Sequence, residues 1–365
     1  MFIESLRLSG YRSYSSLDLK FRSRLVFFVG ENGAGKTNIL EAIGQAAWLK
    51  SFRDNKDAEL VQWDNSGYFI RLGYRENDDE HTVEIGVQTD GPLRKKAKFD
   101  GAELKKKTEL VGRLICVIFT PNDLGIIEGG PSQRRKFVDA FISSISETYL
   151  RTLVEYNRVL KNRNTLLKNR APDSELEIWT GMLADKGEYI RDKRETVINE
   201  LNVFFSSDLQ ELSGGRDNFT LQYKSGFRDR EEFLYKLQRN LARDKKLGYT
   251  TTGIHRDDLF IGMGERDITG FGSQGQKRST VISLKTSVFK YIKNRTGRIP
   301  VLLIDDVIRE LDIKRREYFV NLLLQSGQAF FTTTDLEGIS DYIGNMDEKI
   351  QVFEISREGV RESDV

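Results

Sequence analysis

The sequence predicts an α/β protein built on a phosphate-binding loop, with an antiparallel β subdomain and an inserted helical lobe. Three patterns carry this. The apolar run Leu25-Val26-Phe27-Phe28-Val29 leads into Gly30-Glu31-Asn32-Gly33-Ala34-Gly35-Lys36-Thr37, and Asn38-Ile39-Leu40-Glu41-Ala42-Ile43 follows as the start of a helix. Strand, glycine-rich loop and helix is the context in which G-x-x-x-x-G-K-[ST] holds phosphate. Period-two alternation at Tyr68, Ile70, Leu72, Tyr74 and again at Val83, Ile85, Val87 marks antiparallel strands with one wet face. Beyond Pro121, Phe137, Phe141, Ile145, Tyr149, Leu153, Tyr156 and Leu160 recur at helical spacing.

Taken in order, residues 2–30 read as two strands joined by Gly10-Tyr11-Arg12-Ser13-Tyr14, the second ending in the phosphate loop. A helix is expected from about Thr37 to Lys50. Lys98 to Leu104 reads as a further hairpin, and Leu114 to Phe119, continuously apolar, as a buried central strand. Pro172-Asp173 then separates two helical stripes, the second running through Leu176, Trp179, Leu183, Ile190, Val197 and Leu201. Two antiparallel helices of about thirty residues, roughly 45 Å each, are the economical reading. The α/β character returns near Thr250. A helix opens after Phe271-Gly272-Ser273-Gln274-Gly275-Gln276, a strand covers Val301 to Asp306, another covers Gln328 to Thr334, and residues from about Glu358 are expected to fray. The division expected is 1–120 for the first part of an ATPase lobe, 121–245 for a helical lobe, and 246–365 for the second part.

Composition sets bounds. The chain has 365 residues, 38% hydrophobic and 31% charged, with a net charge of +2, so any nucleic-acid site must come from local clustering. The single cysteine, Cys116, excludes an internal disulfide framework and suits a reducing compartment. With two histidines, His81 and His255, a zinc-type cluster of Cys and His is excluded too. The first residues alternate like a strand rather than forming a signal peptide, and no apolar run is long enough to span a bilayer. A cytoplasmic location is expected.

The chemistry follows from the loop. Backbone N–H groups of residues 30–38, aided by the helix N-terminus, suit the phosphates of ATP. Lys36 supplies a point charge, and the Thr37 hydroxyl a Mg²⁺ ligand. Val301-Leu302-Leu303-Ile304 followed by Asp305-Asp306 is the partner such a loop requires. A strand adjacent and parallel to the loop's strand would bring Asp305 to the metal, leaving Asp306 as general base toward a water.

Glu310-Leu311-Asp312, with the stretch Phe271 to Gln276, resembles the ABC-type ATPases. The resemblance implies that Ser273, Gly275 and Gln276, with Gln274 where glycine is frequent, cap a γ-phosphate bound by the opposite subunit. It also places Asp312 among the nucleotide-binding residues and makes a head dimer closed by ATP. Lys50-Ser51-Phe52-Arg53, Gly130-Pro131-Ser132-Gln133-Arg134-Arg135, His255-Arg256-Asp257-Asp258 and Gly272 to Gln276 stand in the order found in the RecF family of bacterial recombination mediators, related to SMC heads. Membership implies a weak, DNA-stimulated ATPase acting as a switch. Its partners would be single-strand/double-strand junctions or gapped DNA, and the RecO and RecR mediators. Ile254 stands where that family has proline, and Arg309 where a small residue is usual. No glutamine fits the nucleotide-sensing loop, and Thr333 or Thr334 stands where a histidine is expected.

Basic clusters occur at Arg94 to Lys98, Lys105-Lys106-Lys107, Arg134-Arg135-Lys136 and Arg158 to Arg170. The sequence leaves open which share a face. His81 reads as a surface residue of a hairpin; His255 fits either a structural hydrogen-bonded turn or a nucleotide- and DNA-facing surface. A transporter ATPase subunit and an SMC-like chromosome protein share the head motifs. The wide helical insertion and basic clusters speak against the first, and the absence of heptad arms against the second.

Overall fold

The computed structural model describes residues 1–308, 311–336 and 350–363. In chain order, β1 (Phe2–Tyr11), β2 (Tyr14–Lys20), β3 (Leu25–Val29) and α1 (Lys36–Trp48) are followed by β4 (Gly67–Glu76), β5 (Asp79–Gln88), β6 (Arg94–Phe99), β7 (Ala102–Glu103) and β8 (Cys116–Phe119). Helices α2 (Gly125–Glu128), α3 (Pro131–Ile145), α4 (Glu147–Lys168) and α5 (Asp173–Ser213) come next. After β9 (Thr220–Lys224) come α6 (Arg230–Arg239), α7 (Leu241–Leu247), β10 (Asp258–Met263), β11 (Arg266–Asp267), α8 (Ile268–Phe271) and α9 (Gln274–Thr296). The chain closes with β12 (Val301–Asp305), α10 (Ile313–Gln325), β13 (Ala329–Thr333), β14 (Ile350–Ser356) and β15 (Gly359–Ser363).

Residues 1–122 with those after 291 form one compact unit, and Asp123–Tyr291 a second. The change of sequence pattern near residue 245 thus falls inside the second unit, which continues to Tyr291.

The first unit holds an antiparallel sheet of order β2-β1-β4-β5-β6-β7 and a mixed sheet of order β15-β14-β3-β13-β12-β8. Leu6, Leu8, Ile70, Leu72 and Ile85 of the first sheet, Val26, Phe28, Phe330 and Phe353 of the second, and Ile39, Ile43 and Ala46 of α1 belong to one buried apolar cluster. Alternation on β1, β4 and β5 supplies the inward face, as the sequence predicts.

Several expectations need correction. Residues 2–30 form three strands: β1 and β2 pair as a hairpin, while β3 belongs to the other sheet. The apolar run before Phe119 yields a strand at the sheet's edge, paired among the described residues with β12 alone; its burial comes from covering layers rather than from a central place. β12 is not adjacent to β3, because β13 lies between them and pairs in parallel with both. The C-terminal residues 359–363 are not frayed but form β15 against β14.

In the second unit the first helical stripe is broken. Ser146 takes extended angles (φ −143°, ψ 100°) and its hydroxyl accepts from Tyr149 N–H, capping α4. The apolar spacing passes through the break unaltered, which is why periodicity alone reads one helix where there are two. The next helix, α5, runs 41 residues, longer than expected, and stops at Gly214 with φ 63°. β9, β10 and β11 make a small antiparallel sheet in the same unit.

Candidate functional site

The loop between β3 and α1 has the backbone its sequence demands. Gly33 has φ 82° with open space where a Cβ would stand; Gly35 has φ 109°, and a Cβ there would lie 2.7 Å from Ser13 Oγ. Both conformations are ones L side chains rarely adopt, and at Gly35 the crowding adds to the strain. Glu31, Asn32 and Gly33 are exposed, Ala34 half-buried, and Gly35 and Lys36 buried. The first turn of α1 has no side-chain cap and no acidic residue, so no side chain of its own competes with an anion at this helix N-terminus. Lys36 Nζ donates to Gly30 O (2.6 Å) and Glu31 O (2.9 Å), both carbonyls of its own loop.

At the far end of the same loop, Thr37 Oγ1 donates to Asp305 Oδ1 at 2.7 Å. Thr332 Oγ1 donates to that oxygen at 2.8 Å, so the intervening strand β13 contributes a hydroxyl to the contact rather than separating its partners. Burial pushes the Asp305 carboxyl up; the Thr37 and Thr332 hydrogen bonds and the Arg53 charge oppose it, and Asp306 adds to the rise. Asp306 follows in the left-handed region, φ 53°, a strained conformation for a non-glycine residue. Its N–H donates to Thr332 Oγ1 (2.9 Å), and its buried Oδ1 has no hydrogen-bond partner among the described residues. That orphaned oxygen and the hydroxyl–carboxylate pair fit a hard, hydrated cation and a water. Among the described residues no group of three or more His, Cys, Asp or Glu could hold a metal. Two protein oxygens completed by phosphate and water are what Mg²⁺ characteristically takes.

A second cluster beneath the loop escapes the motif reading. Glu41, wholly buried on α1, accepts from Arg12 Nε (2.9 Å) and Nη2 (3.1 Å), from Asn55 Nδ2 (3.2 Å) and from the Ser51 hydroxyl. Arg53 Nη1 lies 3.9 Å from the same carboxylate, its side chain 40% exposed. Asn38 Nδ2 donates to Ser13 Oγ (3.1 Å), and Tyr14 OH to Gly35 O (3.2 Å). The β1–β2 turn and the segment after α1 are thereby fastened to the loop. The signal available in sequence was the grouping of Arg12-Ser13-Tyr14 with Ser51-Phe52-Arg53; nothing local identified Glu41 as their common partner.

Ser273, Gly275 and Gln276 lie in the other unit, at the start of α9. Ser273 and Gln276 cap each other: Ser273 N–H donates to Gln276 Oε1 (2.9 Å) and Gln276 N–H to Ser273 Oγ (3.2 Å). Gln276 Nε2 also donates to Asp217 (2.8 Å), and Gln274 Nε2 to Glu128 (3.1 Å). Asp312 caps α10 by accepting from Arg315 N–H (3.0 Å) and pairs with the Arg315 guanidinium. Arg309 and Glu310 lie outside the described residues. At the other position flagged, Thr333 Oγ1 donates to Asp335 O (2.7 Å) and Thr334 Oγ1 to the Asp335 side chain (3.0 Å).

The basic motifs resolve differently from one another. Arg134 is buried and makes a two-pronged pair with Asp258 (2.7 and 2.9 Å), and Arg135 donates to Asp257 O (2.6 Å). Arg163 is wholly buried on Asp244, Thr180 and Thr250. Lys95 pairs with Asp57 at 2.6 Å. His255 is structural: Nε2 donates to Thr250 O (3.1 Å) and Nδ1 accepts from Tyr156 OH (3.0 Å). Burial holds its imidazole down at about 4, hence neutral. His81 is not a free surface residue: it stacks on Phe99 and lies 2.9 Å from the Asp100 carboxylate. No helix among the described residues is long and apolar enough to cross a membrane.

Residues 2–358 match the family model described as RecF/RecN/SMC N terminal domain. The chain is 55% identical over 364 residues to the DNA replication and repair protein RecF of Leptospira interrogans serovar Lai, covering 100% of both. It is 35% identical over 360 residues to the protein of that name from Clostridium botulinum type B, covering 97% of this chain and 98% of the other. The solved structure of the recombination mediator protein RecF-ATP in the RecFOR pathway is 33% identical, with a TM-score of 0.88 and 99% of each chain covered. An SMC head bound to the C-terminal winged-helix domain of ScpA, 16% identical, shares the fold at a TM-score of 0.59, with 100% of this chain and 98% of that one covered. On sequence over nearly its whole length, and with the ABC-type head fold, the chain belongs to the RecF family.

Proposed function

We propose that this chain is an ATP-dependent DNA-binding protein of recombinational repair and replication restart. The observation that carries the proposal is the phosphate loop with Lys36 on its own carbonyls and Thr37 against Asp305. In this reading residues 30–38 bind the ATP phosphates, Lys36 exchanging Gly30 O and Glu31 O for phosphate oxygens. Thr37 and Asp305 would hold Mg²⁺, which when bound offsets the negative charge of the phosphates. Asp306 accepts the proton of the attacking water at its unpartnered Oδ1. Arg53 adds positive charge beside Asp305.

In this reading the unit of residues 1–122 and 292–365 binds the nucleotide, and the unit Asp123–Tyr291 supplies the helical lobe and the Ser273 segment. Ser273, Gly275 and Gln276 serve a nucleotide held by a second copy, with Asp312 near the same junction, so ATP drives dimerisation and slow hydrolysis resets it. The DNA would be gapped or carry a single-strand/double-strand junction, the partners RecO and RecR, and the compartment the cytoplasm. The name of the relative solved with ATP in the RecFOR pathway supports this reading.

The test is Ser273→Arg, which sets a bulky cation where the second copy's phosphate must dock. Sedimentation with a slowly hydrolysed ATP analogue should show nucleotide still bound but no dimer. A Ser273→Arg protein that dimerises normally, or a wild type that hydrolyses at full rate as a monomer, would refute the shared site.

A further inference from the structure

Most cations of the sequence's basic clusters that the structure buries have partners; one helix face is different. On α4, Arg151, Arg158, Lys161 and Lys168 are exposed and make no ion pair among the described residues. With Val154 and Thr165 between them they follow steps of three and four, and so form one stripe along the helix. At 1.5 Å per residue the stripe is about 26 Å long, the span of about seven phosphates along one DNA strand. The helix carries five cations against two carboxylates, and one of those, Glu155, is taken by Lys186 of α5. The neighbouring α5 has four cations against ten carboxylates, so the positive charge is a property of this face and not of the lobe.

The stripe is extended at its flank. Asn164 Oδ1 accepts from Thr250 N–H (2.8 Å), and Lys168 Cγ lies 3.2 Å from where a Gly248 Cβ would stand. The segment 248–250 therefore packs along α4. It carries Tyr249, 40% exposed, with the exposed Arg256 guanidinium 5.6 Å from the ring centroid. A cation stacked on an aromatic ring beside a row of unpaired cations suits a polynucleotide. A protein partner would want a buried apolar centre, and Val154 is the one apolar member of the row.

We propose that the exposed face of α4, continued by Tyr249 and Arg256, is where this chain takes the phosphate backbone of DNA. The assignment rests on the DNA-binding reading above and adds the surface to it. The probe is a fluorescein-labelled duplex with a single-stranded tail, titrated with full-length protein and ATP analogue from about 50 to about 200 mM salt. Replacing Arg151, Arg158, Lys161 and Lys168 together by alanine should lower affinity at least about tenfold and flatten the log–log salt slope by about 3 to 4, with nucleotide binding intact. Lys105→Ala/Lys106→Ala, from another basic cluster, should change neither. Independently, the duplex should shield Lys161 and Lys168 of the wild type from acetylation while Lys105 and Lys106 stay reactive. An unchanged slope and affinity in a folded quadruple variant, or equal reactivity of all four lysines, overturns the surface but leaves DNA binding standing. A wild type that binds no DNA overturns both.

Discussion

Lys36 in the first unit and Arg194 in the second are both buried cations, and the difference in their partners separates function from architecture. Lys36 is held by two carbonyls of its own loop. Each is a neutral dipole from a residue five or six positions away, and a phosphate oxygen can replace it without stranding a charge. Arg194 instead makes two bonds to Asp139 (2.9 and 2.8 Å), one to Tyr149 OH (3.1 Å) and one to Ile254 O (2.9 Å), with Asp257 3.9 Å away. With Tyr223 OH at 3.5 Å, its partners come from four other segments and leave no capacity for a ligand. A buried cation on exchangeable dipoles is poised to bind; one on dedicated carboxylates is a fastening.

The comparison breaks most visibly if Arg194 is cut. Arg194→Met removes the cation from half-buried Asp139 and from buried Asp257, and should destabilise the protein by about 3 kcal/mol, read as a lowered denaturation midpoint. A loss of DNA binding without a loss of stability would contradict its role as a fastening.

Acid should loosen the same lobe. His255 is held near 4 by burial first, then by the Arg256 and Arg135 charges, against its hydrogen bond to Thr250 O and the Asp244 charge. Because the folded value lies below the ordinary 6.5, its contribution is complete above pH 6.5 and is lost as pH falls from 6.5 to about 4. The full amount is about 3 kcal/mol. Asp257, raised by burial, has the opposite sign: its stabilising share is present below 3.8 and fades as pH rises above that value. His255→Gln should remove the slope between pH 6.5 and 4 seen by urea titration of the wild type; an unchanged slope would remove His255 from the account.

Lys36→Ala sharpens the other side. Nucleotide affinity should fall about a hundredfold, the scale of lost charge-assisted contacts, with the melting temperature nearly unchanged, because the abandoned carbonyls border the exposed loop. Calorimetric titration with ATP decides it. Glu41→Gln is the smallest effect and mixes both behaviours. It removes the charge beneath Arg12 and Arg53 while keeping the shape, costing about 1–2 kcal/mol of stability. A smaller drop in nucleotide affinity should follow from a looser 51–55 segment. Affinity falling as far as in Lys36→Ala would make Glu41 more than a positioning residue.

The sequence by itself determined the phosphate loop, the antiparallel alternation and the helical insertion, since these depend on local backbone freedom and on periods of 2 and 3.6 residues. Gly33 and Gly35 need positive φ whatever surrounds them, and β4 and β5 must present one face to a core. Strand order was not decided locally: parallel neighbours are joined by long crossovers, so nothing near Asp305 told that β13 would stand between its strand and the loop's. The break at Ser146 was hidden because apolar spacing ran through it. The fate of the basic residues was decided by tertiary structure alone. Arg134, Arg163 and Lys95 look like Arg158 and Lys161 in sequence, but their carboxylates arrive from 124, 81 and 38 positions away. A charge becomes structural or available according to whether folding brings it a partner, and that distance is what a single sequence does not display.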